Sequence, residues 1–226
     1  MLKAVIFDFD GVITDSEVLH LRAFNRSLVP FGIEITTKDY YQNYLGFSDF
    51  DCYEALIEKG LLKIEEGQIA DIIKEKSRIF EHLTRTEGRT IEGVHDFLTM
   101  LKQNDIPMAI CSGSLLVEIE LMLDEAKLRH FFTTIVSAEQ VKKGKPHPEG
   151  FLLSLRKLNQ VCHLPILARE CIVIEDSQWG LKAGKDAGMH TVAVTTSYEA
   201  AQLTLAEKVV NRLTELSLAD LQQICA

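Results

Sequence analysis

Two aspartates one residue apart, Asp8 and Asp10, close an apolar run and are followed at once by Gly11. Leu2 to Phe7 is largely apolar, β-branched and aromatic, and is short enough for a parallel strand covered on both faces. The glycine and the polar residues after it stop that strand, which puts Asp8 at a strand's carboxyl end, where open α/β sheets hold their ligands. Two carboxylates this close repel, and a bound cation would remove the repulsion. An aspartate-rich turn that only caps a strand fits the same residues, so this segment alone leaves both readings open.

Three further segments have the same form. Pro107–Ser114 is an apolar run ending in Ser112, Gly113 and Ser114, with a helical pattern starting at Leu115. Gly144-Lys145-Pro146-His147-Pro148 holds a lysine in a rigid turn before another helical stretch. Cys171–Ser177 is apolar up to Glu175, Asp176 and Ser177, and Gly180 follows.

Elements must carry these groups to one place. From Ser16 to about Arg85 the pattern is helical, without a convincing strand. Ser16 can cap a helix closed by Pro30 and Gly32, and Thr37 can cap a short helix bearing Tyr40, Tyr41 and Tyr44. Asp49–Glu58 and Glu65–Leu83 read as two more helices, the last with Ile69, Ile72, Ile73 and Phe80 as its buried stripe. From Gly93 onward, strands at Met108–Cys111, Thr134–Val136, Ile172–Ile174 and Thr191–Val194 alternate with helices near 94–103, 115–126, 149–159 and 178–187. That alternation marks βαβ units and a parallel sheet. The chain is expected to be α/β, with residues 1–15 and 86–226 as a Rossmann-like core and 16–85 as an inserted four-helix cap.

Composition sets limits. The chain has 226 residues, 46% of them hydrophobic, and a net charge of −9. That charge argues against a nucleic-acid partner, which needs clustered Lys and Arg, so an anionic substrate must be drawn in by local charge. The five cysteines show no C-x-x-C spacing and read as free thiols in a reducing compartment. The opening residues form a strand and not a charged-then-apolar leader, so no signal peptide is expected, and no apolar run approaches membrane-spanning length.

Asp8 and Asp10, Ser112, Lys145, then Glu175 and Asp176, in this order and at these element ends, resemble the haloacid dehalogenase superfamily along the whole chain. Within it the chain is similar to the β-phosphoglucomutase-like phosphatases and mutases, which carry a small helical cap after the first motif. The resemblance implies a lid that opens and closes over the site. It implies that Asp8 is the nucleophile of an aspartyl-phosphate mechanism and that Asp10 is the general acid/base. It implies Mg²⁺ held by Asp8, the backbone carbonyl of Asp10, and Asp176, with Glu175 direct or through water. Dehalogenases of the superfamily lack an acidic second residue in the first motif, so Asp10 argues for phosphoryl transfer. Ser112 and the Gly113 N–H would bind phosphate, although Ser112 alone would also suit a helix cap. Lys145 would offset the transferring phosphoryl charge. Ser177 would orient Glu175 or Asp176, Gly180 and Trp179 would serve packing, and Asp15 would cap the following helix.

The cap should decide substrate, and its candidates are His20, Gly46, Asp49 and Lys76. His20 and Lys76 fall where the mutases carry a histidine near the acid/base and a lysine near the sugar phosphate. Structural or solvated roles are open for both. In the loop Gly46-Phe47-Ser48-Asp49, mutases place an arginine that holds a second phosphate, whereas this chain has Asp49 and no arginine nearby. The expectation is a cytoplasmic, monomeric, Mg²⁺-dependent phosphatase of small phosphorylated metabolites, with no nucleic-acid or membrane partner. A sugar-phosphate mutase, with Arg22 or Arg78 taking over the clamp, is the alternative. A non-catalytic phosphate-binding module is a more distant one.

Overall fold

The computed structural model describes residues 1–65, 67–163 and 165–226. The first strand, β1 (Ala4–Phe7), is followed by four helices, α1 (Glu17–Leu28), α2 (Thr37–Asn43), α3 (Asp49–Glu58) and α4 (Gln68–Glu87). After them come α5 (Val94–Gln103), β2 (Met108–Cys111), α6 (Leu116–Glu125), β3 (Thr134–Val136) and α7 (Glu149–Cys162). The chain ends with β4 (Cys171–Glu175), α8 (Gln178–Asp186), β5 (His190–Val194), β6 (Lys208–Val210) and α9 (Leu218–Ile224). Six strands form one sheet in the order β3-β2-β1-β4-β5-β6, and every pairing is parallel.

Alternation along the strands builds two apolar layers. Val5, Phe7, Ile110, Ile172 and Ile174 point to one face, into a cluster with Phe97 and Leu101 of α5 and Ile119 and Leu123 of α6. Ala4, Ile6, Ala109, Cys111 and Val173 point to the other, against Phe151 and Leu158 of α7 and Ala183 of α8. Both faces are covered, so the strands need no polar residues until they end. At those ends Asp8, Ser112, Glu175 and Asp176 are buried polar groups.

The inserted helices form the cap. Leu21, Phe24, Leu28, Tyr40, Tyr53, Leu56 and Ile72 make a cluster of their own, while Leu19, Ala23, Phe80 and Leu83 join that of the core. Two linkers tie cap to core side by side. The Asp15 N–H donates to Arg89 O at 3.0 Å, the Ile91 N–H donates to Ile13 O at 3.0 Å, and Thr14 bridges Thr90 antiparallel.

Most element boundaries match the sequence reading to within a residue or two, with a few differences. Thr36, and not Thr37, caps α2, accepting from the Asp39 N–H. The helix expected at Glu65 starts at Gln68, with Glu66 outside the described residues. In its stripe Ile72 and Phe80 are buried, Ile69 and Ile73 are only partly covered, and Lys76 is buried with them. β6 and α9 were not anticipated. Among the described residues no helix is long and apolar enough to cross a membrane, and all five cysteines are free.

Candidate active site

The parallel sheet brings the four motif segments to one edge, because β1 lies between β2 and β4. Val5 pairs with both Met108 and Ile172, so the carboxyl ends of the three strands lie level. Asp8, Glu175 and Asp176 follow, and one ligand oxygen from each lies within 4.8 Å of the others. Gly11 lets the loop pass this close. Its φ is +80°, and a Cβ there would stand 1.9 Å from Asp176 Oδ2, so both the left-handed backbone and the missing side chain are required.

Three carboxylates in so small a buried space repel strongly. Burial and the Glu175 charge push the Asp8 carboxyl well up, although Lys145 pulls against them. Burial and the charges of Asp8 and Glu175 do the same to Asp176. A divalent cation would relieve this strain, and an all-oxygen donor set suits a hard ion such as Mg²⁺.

Lys145 is the cation already present. Its Nζ donates to Asp8 Oδ1 and, at 2.6 Å, to Glu175 Oε1. Burial alone would lower its pKa, but these two carboxylates raise it well above the usual lysine value. Glu175 is fixed on its other oxygen. Oε2 accepts from the N–H groups of Asp176 and Ser177, each at 3.1 Å, and from Ser177 Oγ at 2.9 Å. Ser177 thus orients Glu175 as expected while capping α8. Gly180 does more than pack, because a Cβ there would fall 1.7 Å from Glu175 Oε1. Trp179 is 36% exposed and packs beside the cap loop, its Cδ1 3.9 Å from where a Cβ on Gly46 would stand.

Asp10 is held by four side chains. Ser16 Oγ donates to Oδ1, and His20 Nε2 lies 3.1 Å from the same oxygen. Ser114 Oγ and Ser112 Oγ donate to Oδ2 at 2.7 and 3.3 Å. Burial would raise this carboxyl, but the charge that His20 carries when protonated, and then the hydrogen bonds from His20, Ser16 and Ser114, hold it well below the usual carboxylate range. The Ser16 hydroxyl is therefore spent on Asp10, and it makes no cap bond to α1 although Ser16 stands at the N-cap. Asp15, the expected cap, is exposed. Ser112 does not cap α6 either, since Leu115 holds that position. Its hydroxyl accepts from the Ser114 N–H at 2.9 Å. Gly113 packs against the cap loop, where its Cβ would meet Gly46 O at 3.4 Å.

On the cap side, Lys76 is fully buried. Its Nζ lies 2.8 Å from Asp49 Oδ1, 3.3 Å from Glu118 Oε1 and 2.9 Å from His20 Nδ1. A hydrogen on Nδ1 would face the ammonium donor to donor, so His20 accepts there and donates from Nε2 to Asp10. His20, Asp49 and Glu118 have metal-ligand spacing, but the ammonium sits among them and is their cation. Asp49 Oδ2 is buried without a partner. Arg22 and Arg78 are pinned by surface carboxylates, Glu87 and Glu75.

Sequence reasoning passed over four of these groups. Glu118 lies on α6 with no motif around it. Ser114 and Ser197, the latter donating to Asp176 Oδ2, look like ordinary loop serines. Glu17 accepts from Tyr40 Oη at 2.7 Å, and burial and the Asp10 charge push it up to about 7.

Known proteins were compared with the chain. The family model for haloacid dehalogenase-like hydrolases matches residues 5–194. A phosphorylated carbohydrates phosphatase of Thermotoga maritima is 31% identical over 192 residues, covering 84% of each chain. A chloroplastic 5-amino-6-(5-phospho-D-ribitylamino)uracil phosphatase of Arabidopsis thaliana is 34% identical over 157 residues, which is 70% of this chain and 40% of that one. The crystal structure of a β-phosphoglucomutase from Clostridium difficile superposes with a TM-score of 0.88 at 28% identity, covering 100% of this chain and 97% of the other.

Proposed function

Because the chain belongs to the haloacid dehalogenase-like hydrolases, on their β-phosphoglucomutase-like branch, and is a phosphoric monoester hydrolase, we propose that it hydrolyses small phosphorylated sugars or polyols through an aspartyl phosphate on Asp8. The observation that carries the reading is the convergence of Asp8, Lys145 and Asp10 at the sheet edge, with Asp8 and Asp10 under opposite control. Asp8 is crowded by carboxylates and a lysine, and Asp10 is kept ionised by hydroxyls and an imidazole.

The residues fit Mg²⁺. Asp8, Asp176 and the backbone carbonyl of Asp10 would hold it, with Glu175 acting through water because its oxygens already carry Lys145 and Ser177. Once bound, it would supply the positive charge that lets a carboxylate approach a phosphate. Lys145 gives up Asp8 and keeps Glu175 as it turns to neutralise the phosphoryl oxygens, and Ser112 and the Gly113 N–H donate to them. A monoanionic substrate brings the proton: Asp10, ionised in the free site, takes it, passes it to the leaving alcohol and, a carboxylate again, takes one from the water that attacks the aspartyl phosphate. His20 and the serines hold Asp10 in line for both transfers.

Hydrolysis is favoured over mutation by charge. Among the described residues lining the catalytic pocket, Lys145 is the one lysine or arginine. Lys76 is spent on Asp49, Glu118 and His20. A second, distal phosphate would find Asp49 at this seam and the exposed Lys142 and Lys143 of the adjoining cavity in place of a bidentate arginine clamp. The relatives' names support a sugar or polyol phosphate, and the free thiols suit a reducing cytoplasm. Residues 16–85 are taken as the cap and the remainder as the catalytic core. Phosphorus NMR of glucose phosphates with Mg²⁺ tests the choice. Phosphate release without interconversion of the 1- and 6-phosphates is expected. Interconversion faster than release would instead establish a mutase.

A further inference from the structure

Two cavities meet at the seam between cap and core. The catalytic one, walled by Asp8, Asp10, Lys145 and Asp176, offers about 30 Å³. At about 10–15 Å³ for each water-sized occupant, that is room for a phosphoryl group and not for the alcohol carrying it. The second cavity is about 250 Å³. The two share Gly46, Asp49, Gly113 and Lys145 as lining, so an alcohol leaving the phosphoryl site at this seam enters the larger space.

The larger cavity is not built for a second sugar. Glu139, Lys142, Lys143 and His147, all exposed, also line it, but its apolar walls are Leu115, Val136, Val141 and Phe151 of the core and Phe50 and Ile73 of the cap. Hydroxyls turned towards them would lose their water partners without replacement. A flexible alkyl chain would lose rotamer freedom that a flat ring does not have. Size narrows the choice further. A cavity of about 150 Å³ lined by such side chains accepts benzene, so 250 Å³ suits one six-membered ring with a few substituent atoms. Asp49 stands at the junction. Its Oδ1 takes the Lys76 ammonium, and its buried Oδ2 is an acceptor without a donor.

We infer that the second cavity seats the leaving alcohol of a phosphomonoester bearing a single aromatic or heteroaromatic ring. A short hydroxylated arm joins ring to phosphate, and a hydroxyl of that arm donates to Asp49 Oδ2. The inference rests on the phosphatase reading above and adds the substrate's far end to it.

Glycerol phosphate and its phenyl ether differ only in the ring, and their leaving alcohols are alike. With Mg²⁺, the phenyl ether is expected to show kcat/KM at least about tenfold higher, as burial of a ring gives. Ala138→Trp, which fills the cavity from the loop after β3, abolishes that gain and lowers glycerol phosphate turnover far less. Val141→Trp does so from another wall. Removing the arm's hydroxyl lowers kcat/KM about tenfold, the value of a hydrogen bond to a charged acceptor. Equal kcat/KM for ether and parent, or tryptophan variants that depress both substrates alike, overturns the inference, and an unchanged value without the hydroxyl overturns the Asp49 contact. If neither compound is turned over, the phosphatase reading falls. Calorimetry on Asp8→Asn protein then decides the cavity by itself. Binding of the ether about tenfold tighter than glycerol phosphate upholds it, and equal binding refutes it.

Discussion

Replacing Glu17 by glutamine should stabilise the protein, and only above acid pH. Glu17 sits in the first turn of α1, buried against the catalytic pocket, and its carboxyl is raised from 4.5 to about 7, first by burial and then by the Asp10 charge. Below about pH 4.5 the folded and unfolded chains both hold this proton, so the group is neutral towards stability. As pH rises from there to 7 the unfolded chain ionises first, and the fold loses stability. Above pH 7 both forms are ionised and the loss is constant. A shift of that size, at about 1.36 kcal/mol for each pH unit, amounts to about 3 kcal/mol. Glutamine keeps the shape and an oxygen for the Tyr40 hydroxyl and removes the charge. The stronger hydrogen bond to a carboxylate offsets about 1 kcal/mol of the gain. Urea unfolding of both proteins, in EDTA at pH 5, 6, 7 and 8, should show the variant ahead by about 2–3 kcal/mol at pH 8. The gap should close towards pH 5. Differences taken at each pH cancel every other titrating group. A gap independent of pH, or one that widens on acidification, would refute the reasoning.

Lys76→Met should cost about 3–5 kcal/mol in urea unfolding, because it strands the buried carboxylates of Asp49 and Glu118; a loss below 1 kcal/mol would mean that water reaches them. Asp8→Asn should lower kcat on the order of 10³-fold or more with little change in melting temperature, checked by phosphate release from purified protein. Gly180→Ala should destabilise by about 1–3 kcal/mol and depress kcat, since its Cβ displaces the Glu175 carboxylate that steadies Lys145; calorimetry and steady-state kinetics measure both. Exhaustive chelation should abolish turnover, Mg²⁺ should restore it, and Ca²⁺ should do so poorly because it takes more and looser oxygen ligands.

What could be read in advance follows from range. Strands and helices announce themselves through local periodicity, and a strand that ends in acid or hydroxyl groups announces a site. Asp8, Asp10, Ser112, Lys145, Glu175 and Asp176 were legible for that reason, since each follows an apolar run or lies in a rigid turn. Lys76 was not, because lysine on a helix is normally solvated. Its burial depends on Asp49 and Glu118, which reach it from separate helices. Asp49 was read as a charge that repels phosphate, whereas Oδ1 is neutralised by Lys76. The hydroxyls of Ser16 and Ser114 have many local uses, and only the folded loop commits them to Asp10. Ser197 comes from beyond β5, a distance along the chain that no local pattern encodes.

The place of β1 governs how this chain can be made. It leaves the ribosome well before both of its partners, since Val5 pairs with Met108 and Ile172. Until the residues of β4 have been synthesised, β1 has at least one bare edge, and an unpaired apolar strand is a hazard for association between nascent chains. The helices that follow it close most of an apolar cluster of their own, to which Tyr198 is added from downstream. Synthesis therefore offers an early helical unit with the strand of Asp8 waiting beside it. Closure of the sheet around that strand is a late, long-range event of the kind that slows folding. Before that event Asp8 has Asp10 but neither Glu175 nor Asp176 beside it, so most of the electrostatic tension of the site arises as the sheet closes.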